Sequence, residues 1–220
     1  MIPYIDLPFV WGVSTLRLLW AVGVIAGHLI FLYRIRRATA VPQGLAAEFG
    51  LALLLGALAA GVLGGGKSWI AILGGTALAT ALLVIRRSLR HWLDLANAAA
   101  YALPFGWIFL RLGCVVEHAH GGRLSDSWLA VRYPGGSRWD TAALEALWAV
   151  AMAVVFLVAP RIPAAPTILL SLGLFRTGLN VLRIPTVIDW WSPGVMVASG
   201  FFVIAVTRFT RVQKSFNHPQ

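Results

Sequence analysis

The chain has 220 residues, of which 59% are hydrophobic and 12% are charged, and its mean hydropathy is +0.80. Soluble domains carry about 25% charged residues, so this composition excludes most soluble enzymes and indicates a membrane protein. The formal net charge is +10, but the basic residues cluster between apolar runs, which is typical of the positive-inside rule rather than of nucleic-acid binding. The only cysteine, Cys114, excludes an internal disulfide.

Seven apolar runs predict membrane-spanning helices. In chain order they cover residues 8–33, 45–63, 68–85, 93–116, 142–159, 165–182 and 192–207. At ~1.5 Å per residue, runs of this length can cross a hydrocarbon layer of about 30 Å. We therefore expect an all-α polytopic membrane protein with about seven transmembrane helices. Residues 1–212 would form a single domain, followed by a polar cytoplasmic tail at 213–220.

The longest polar connection, about residues 117–141, lies between the fourth and fifth runs. It contains Gly121-Gly122, Ser125-Asp126-Ser127 and Pro134-Gly135-Gly136, and such residues are typical of turns. The sequence therefore predicts a small, irregular outer cap at this point rather than a further helix.

The charges of the connections predict the orientation in the membrane. Ten basic residues fall on one side, namely Arg34, Arg36, Arg37, Arg86, Arg87, Arg90, Arg161, Arg208, Arg211 and Lys214. The opposite side has five, namely Lys67, Arg123, Arg132, Arg138 and Arg183. Because the cytoplasmic side carries the excess of basic residues, we expect the N-terminus outside and the C-terminus in the cytoplasm.

Three arginines, Arg17, Arg111 and Arg176, lie within apolar runs. An arginine at mid-span costs ~2.5–3.5 kcal/mol on insertion scales, so each should face a cavity or a partner. Arg17 has two equal interpretations, a structural ion pair with Glu48 and a role in binding a substrate.

Arg176, Asn180 and Arg183 share one helical face through their i, i+4 and i+7 spacing. Guanidinium groups bind phosphate through paired N–H donors, so Arg111 and this face predict an anion site for a phospholipid headgroup near the outer leaflet. The alternative is that these arginines pair with Glu145 or Glu117.

His118 and His120, next to Glu117 at the outer mouth, are the candidates for a general base, because histidine titrates near neutral pH. The alternative is that both are solvated loop residues. Two histidines and one glutamate are a weak metal signal, so no metal or cofactor is expected.

Several segments together resemble the prolipoprotein diacylglyceryl transferase family. Residues 111–123, from Arg111-Leu112-Gly113-Cys114 to Gly122-Arg123, are similar to its signature, which reads arginine, an apolar residue, glycine and asparagine and ends in glycine-arginine. The other similar segments follow in the family's order, namely Tyr133-Pro134-Gly135, Thr141-Ala142-Ala143-Leu144-Glu145, Phe175-Arg176, Arg183-Ile184-Pro185 and Ser192-Pro193-Gly194. The resemblance covers most of the chain, and before Asp94 it rests on hydropathy alone.

The resemblance implies a seven-span enzyme of the bacterial inner membrane that moves the diacylglyceryl group of phosphatidylglycerol onto the lipobox cysteine of a preprolipoprotein. Arg111 and Arg176 match the family's essential arginines and, with His118 and His120, are the expected catalytic residues. The expected substrate-binding residues are Arg123, Glu145, Asn180, Arg183 and Arg17. The expected partners are phosphatidylglycerol, the signal-peptide region of the preprolipoprotein and membrane lipid. Since no dimerisation motif stands out, we expect a monomer.

The chain departs from the family at three positions that bear on activity. Leu73 precedes Gly74-Gly75 where the family has histidine, Cys114 replaces the signature asparagine, and Asn180 replaces a glutamate. Two alternatives to the transferase therefore stay open. One is an inactive or acceptor-switched phospholipid-binding protein on the same scaffold, and the other is a small anion transporter.

Overall fold

The chain is mostly helical, with 79% of it in helices. The computed structural model describes residues 9–10, 13–38, 41–63, 68–86, 91–184 and 191–217. The helices are α1 (Thr15–Ala38), α2 (Gln43–Leu63), α3 (Ser68–Ile85), α4 (Trp92–Val116), α5 (Thr141–Val158), α6 (Ala164–Leu182) and α7 (Trp191–Asn217). Each of the seven predicted apolar runs overlaps one of these helices.

Four of the helices are long and apolar enough to cross a membrane, which indicates a membrane protein. They cover Thr15–Arg37, Trp92–Val116, Thr141–Val158 and Ala164–Leu182. The other apolar helical stretches found among the described residues are shorter, namely Gln43–Gly56, Gly74–Ile85 and Trp191–Ala205. The prediction of about seven spans is therefore not confirmed beyond these four.

The first predicted span was placed too early in the chain. Phe9–Val10 (β1) and Val13–Ser14 (β2) form a short antiparallel pair, and α1 begins only at Thr15. The β-branched residues Val10 and Val13 fit extended backbone better than helix. As a consequence Arg17 lies in the first turn of α1, where it is exposed, and not well inside the span as the predicted run of residues 8–33 implied.

The connection between α4 and α5, predicted as an irregular cap, is a small sheet, so the expectation of irregular structure was wrong. Its strands are Gly121–Leu124 (β3), Val131–Tyr133 (β4) and Gly136–Asp140 (β5), and they pair antiparallel in the order β3-β5-β4. Tyr133 pairs with Gly136, so a two-residue turn joins β4 to β5, and Gly136 has a positive φ of 109° that favours glycine. The turn residues were recognised in the sequence, but the pairing of strands across them was not.

The chain divides into two compact units, Gly27–Ala102 and a unit formed by Met1–Ala26 with Leu103–Gln220. The first has its own apolar core, in which Phe31 and Phe49 stack with ring centroids 6.1 Å apart. In the same unit Glu48 forms an exposed ion pair with Arg86 at 2.8 Å. The glutamate proposed as a structural partner for Arg17 is thus bound by a different arginine.

The second unit contains α5 and α6, whose buried faces carry polar residues while their outer faces are apolar. Glu145 of α5 and Arg176 of α6 are buried, whereas Leu147, Val154 and Leu174 are largely exposed. A soluble helix shows the opposite arrangement, so these faces suit an environment of lipid.

Some residues used for the sequence predictions lie outside the described residues. They include Lys67, Arg87 and Arg90 of the charge comparison and the last three residues of the polar tail. Leu73 lies in α3, but its side chain is outside the part of the chain that the structure describes.

Candidate anion-binding site

Glu145, which is 1% exposed, is the centre of a buried ion cluster between α4, α5 and α6. Its Oε2 lies 2.7 Å from Nη2 of Arg111 and 3.3 Å from Nη2 of Arg176. Its Oε1 lies 3.2 Å from Nη2 of Arg183. Three guanidinium groups therefore share one carboxylate, which leaves a surplus of two positive charges in the cluster.

The helical face predicted on α6 is present and points at this carboxylate. Arg176 lies on the buried face of α6, and Arg183 follows as the C-cap residue. Asn180, 1% exposed, accepts a hydrogen bond from Nη1 of Arg183 at 3.5 Å. The sequence left open whether these arginines bind an anion or a carboxylate, and the structure shows the carboxylate contact with Glu145.

The cluster also contains buried N–H groups without a hydrogen-bond partner among the described residues. They are Nε of Arg111, Nε of Arg176 and the indole Nε1 of Trp107. Arg111 and Arg176 are 5% and 4% exposed, so water covers neither side chain well. Buried donors are nearly always paired, so these N–H groups beside a positive surplus are suited to an acceptor oxygen.

Cys114 lies one helical turn after Arg111 and faces the same cluster. Its Sγ accepts a long hydrogen bond of 4.0 Å from Nη1 of Arg111, and the residue is buried. The thiol is a weak acceptor, so this contact leaves most of the hydrogen-bonding capacity of the guanidinium unused.

Arg123 and Glu117 lie outside the ion cluster. Nε of Arg123 donates to the backbone carbonyl of Arg183 at 2.9 Å, which ties β3 to the end of α6. Gly122 makes this approach possible, because a Cβ there would lie 2.5 Å from the carbonyl oxygen of Leu182. Oε1 of Glu117 accepts the backbone N–H of Leu16 at 3.0 Å, at the positive end of α1.

His118 lies two residues after the end of α4, and its backbone is in the left-handed region with a φ of 50°. The N–H of His118 donates to the carbonyl of Val115, and the N–H of Ala119 donates to that of Cys114, at 3.1 and 3.0 Å. This pair of bonds is a Schellman motif, in which glycine is the usual residue at the position of His118. The imidazole contacts Tyr133 edge to face, with centroids 5.0 Å apart.

His120 lies at the rim of the cluster, and its backbone carbonyl accepts hydrogen bonds from both the N–H and Oγ1 of Thr141. Part of its side chain is exposed, while burial of the remainder lowers its pKa below the ordinary histidine value. The positive charge of Arg111 lowers this pKa further, and Glu145 opposes the effect. The lowered pKa favours the neutral imidazole, which is the form in which histidine can act as a general base.

Asp140 is a residue that the sequence predictions missed. It is the N-cap of α5, and its Oδ1 accepts from the N–H groups of Ala142 and Ala143 at 2.9 and 3.0 Å. Its Oδ2 accepts from the hydroxyl of Tyr133 at 3.1 Å. An aspartate directly before an apolar run is a known start signal and could have identified this cap. Through it, β5 sets where α5 starts and hence the position of Glu145.

Trp107 was also missed, although it lies four residues before Arg111 and so on the same face of α4. Its ring lies under the guanidinium carbons of Arg111 and Arg176, at 4.8 and 5.8 Å from the ring centroid.

Among the described residues, no group of three His, Cys, Asp or Glu side chains is placed to hold a metal ion.

Compared with models of known protein families and with curated proteins, the sequence matches none. The resemblance to the diacylglyceryl transferases therefore rests on the quoted motif residues, and what they do in this chain is argued from their geometry.

Proposed function

We propose that the protein is a phosphatidylglycerol–prolipoprotein diacylglyceryl transferase-like enzyme of the bacterial inner membrane, with its N-terminus outside. The observation that carries the proposal is the surplus of two positive charges where Arg111, Arg176 and Arg183 share Glu145. Four membrane-length helices supply the apolar surroundings in which the two acyl chains of a phospholipid would lie.

The charge of the cluster favours the reaction as well as binding. In the proposed step the thiolate of a lipobox cysteine attacks a glycerol carbon of phosphatidylglycerol, and the bond from that carbon to the phosphate oxygen breaks. The phosphodiester carries one negative charge, whereas the glycerol phosphate that leaves carries up to two. Because a buried pair of surplus charges stabilises the second form more than the first, it lowers the barrier of the step.

The thiol proton needs an acceptor before the attack. His120 supports this role through its position at the rim of the cluster and its lowered pKa, which keeps the imidazole neutral near pH 7. The proton would then pass to the leaving phosphate, so that atoms and charge balance.

The test is mass spectrometry of a lipobox peptide incubated with the protein in nanodiscs of phosphatidylglycerol. We expect the cysteine to gain the mass of one diacylglyceryl group. The Arg176→Ala variant should give no gain, and Arg161→Ala, which alters an exposed arginine between α5 and α6, should behave as wild type. No gain with folded wild type, while a known family enzyme works alongside, would overturn the proposal.

A second candidate is a phospholipid-binding protein without turnover, which is favoured by Leu73 at the position of the family's histidine. In that case phosphatidylglycerol should bind to wild type and not to Arg176→Ala, with no product from either. Uptake of a labelled anion into proteoliposomes would instead support a transporter.

A further inference from the structure

The ring of Trp107 lies under the guanidinium groups of the two most buried arginines of the site, Arg111 and Arg176. It is 5% exposed, and its ring lies within 4.8 Å of the guanidinium carbon of Arg111 and 5.8 Å of that of Arg176. A cation above the face of tryptophan is attracted by the negative charge density of the ring, and more strongly where water is excluded.

Two guanidinium groups held this close repel each other, and Glu145 alone compensates only part of their charge. The ring of Trp107 stabilises both cations without occupying any of their N–H groups. Nε of Arg111 and Nε of Arg176 have no hydrogen-bond partner within the described chain. The ring thus holds the cations in place and leaves donors available to a ligand.

The indole N–H of Trp107 is itself buried and unpaired among the described residues. Tryptophan is a donor only, so this group needs an acceptor oxygen from outside the side chains that surround it. A phosphate ester offers several acceptor oxygens and a negative charge, which suits an indole N–H and two guanidinium Nε groups together.

We propose that Trp107 is a positioning and recognition residue whose ring holds Arg111 and Arg176 and whose indole N–H donates to an oxygen of a bound phosphate ester. The inference rests on the anion site of the proposed function. The proposed contact adds a neutral residue to those that bind the ligand. Because the indole N–H requires an acceptor oxygen, it favours an oxyanion over a negatively charged group without such an oxygen.

Trp148 provides the matched control. Its indole N–H is also buried and unpaired among the described residues, but its ring stacks on Phe175 with centroids 6.2 Å apart. Trp107→Phe and Trp148→Phe therefore remove the same donor from two buried tryptophans, and Trp107→Leu removes the aromatic face as well.

The experiment uses the full chain, labelled with 15N at its ten tryptophans, in zwitterionic nanodiscs. The indole N–H signals of Trp107 and Trp148 are assigned from their loss in the two phenylalanine variants. Short-chain phosphatidylglycerol, glycerol phosphate and short-chain phosphatidylcholine are then titrated separately. Comparison of phosphatidylglycerol with glycerol phosphate distinguishes a lipid headgroup from a free phosphate ester. Phosphatidylcholine is the lipid control without a net negative charge.

We expect phosphatidylglycerol to move the Trp107 signal downfield and to leave the Trp148 signal in place. Trp107→Phe should weaken binding about tenfold or more, as loss of a hydrogen bond to a charged group does, and Trp107→Leu should weaken it further. Trp148→Phe should bind as wild type. A response to glycerol phosphate of the same strength would assign the site to the phosphate group alone, with the same role for Trp107.

Two results would overturn the inference while leaving the anion site intact. One is tight binding by wild type with no movement of the Trp107 signal, and the other is an equal loss of affinity in both phenylalanine variants. Absence of binding by wild type to either phosphate ester would overturn the anion site of the proposed function together with the role of Trp107. Absence of binding would be read from all the indole signals of the wild-type protein, so this outcome does not depend on the variants that assign the two signals.

Discussion

Nη2 of Arg111 lies 2.7 Å from Oε2 of Glu145, and the two residues form a buried ion pair. Arg111 is near the end of α4, and Glu145 is in the second turn of α5, so the pair joins two membrane-length helices on either side of the cap. Both side chains are almost fully buried. In such surroundings an ion pair contributes less to net stability than its removal costs, because the remaining charge has no partner.

Replacement of Glu145 should therefore be costly. In Glu145→Gln, three arginines lose their shared carboxylate, and we expect the free energy of unfolding to fall by about 3–5 kcal/mol. The matched control is Glu48→Gln, which breaks the exposed pair with Arg86 and should cost about 1 kcal/mol or less. Thermal unfolding in detergent would measure both, and equal shifts in the two variants would contradict the importance of burial.

Arg176→Lys tests whether the shape of the guanidinium matters beyond its charge. Lysine keeps one positive charge near Glu145 but lacks the paired donors and the Nε group that is free for a ligand. We expect the rate of peptide lipidation to fall about 10²–10³-fold, as it does when a donor to a developing anion is removed. Arg161→Lys is the control for a general effect of the substitution, and a wild-type rate in Arg176→Lys would argue against a direct role in the reaction.

The roles of His118 and His120 as candidate general bases can be distinguished by a substitution at His118 that stabilises the fold. Because φ of His118 is positive, His118→Gly should relieve strain and raise stability by up to about 1 kcal/mol, less the lost contact with Tyr133. His118→Ala keeps the strain and loses the same contact, so it should be less stable than wild type. If His118→Gly retains lipidation activity, His118 is not the base, whereas an inactive but well-folded variant would assign that role to it.

The pH dependence of the reaction should reveal the state of His120. Its pKa is lowered, chiefly by burial and then by Arg111, so the neutral imidazole persists below the ordinary histidine pKa of about 6.5. We expect the rate to stay level as the pH falls from 8 to about 6.5 and to decline only below that value. His120→Gln should lower the rate about 10²–10⁴-fold and abolish the decline of the rate at acidic pH. The same decline in the variant would assign the titration to another group.

Asp140 should make stability depend on pH in the acidic range. Burial raises the pKa of this carboxyl, although the N–H groups of Ala143 and Ala142 and the hydroxyl of Tyr133 oppose the effect. The folded protein therefore binds a proton more readily than the unfolded chain, so stability should rise as the pH falls from above the raised pKa towards the ordinary aspartate value of about 3.9.

Asp140→Asn keeps an oxygen for the helix cap and removes the titration, so the variant should lack this rise in thermal midpoint. Asp140→Ala should in addition lose the cap, at a cost of about 1 kcal/mol. Asp126→Asn, in the exposed loop of the cap, is the control for a general effect of charge. A pH profile of Asp140→Asn that follows wild type would show that other groups dominate.

Much of the local structure was predictable because it depends on near neighbours in the chain. The apolar runs predicted where each helix lies, and the i, i+4 and i+7 spacing predicted that Arg176, Asn180 and Arg183 share a face. The errors have local causes too. The start of α1 was misplaced because apolar residues in a short strand pair and in a helix look alike in a hydropathy window.

Only the tertiary structure decided how these local elements are combined. The sequence offered both Glu117 and Glu145 as partners for the arginines, and the packing of α4, α5 and α6 selected Glu145. It also placed Trp107 under two arginines from different helices, and it paired β3 and β4 with β5. Contacts of this kind join residues that are 31 or 38 positions apart, as Glu145 is from Arg176 and Arg183. Helical periodicity carries no information over such separations, because it fixes directions within one element and not the element that it meets.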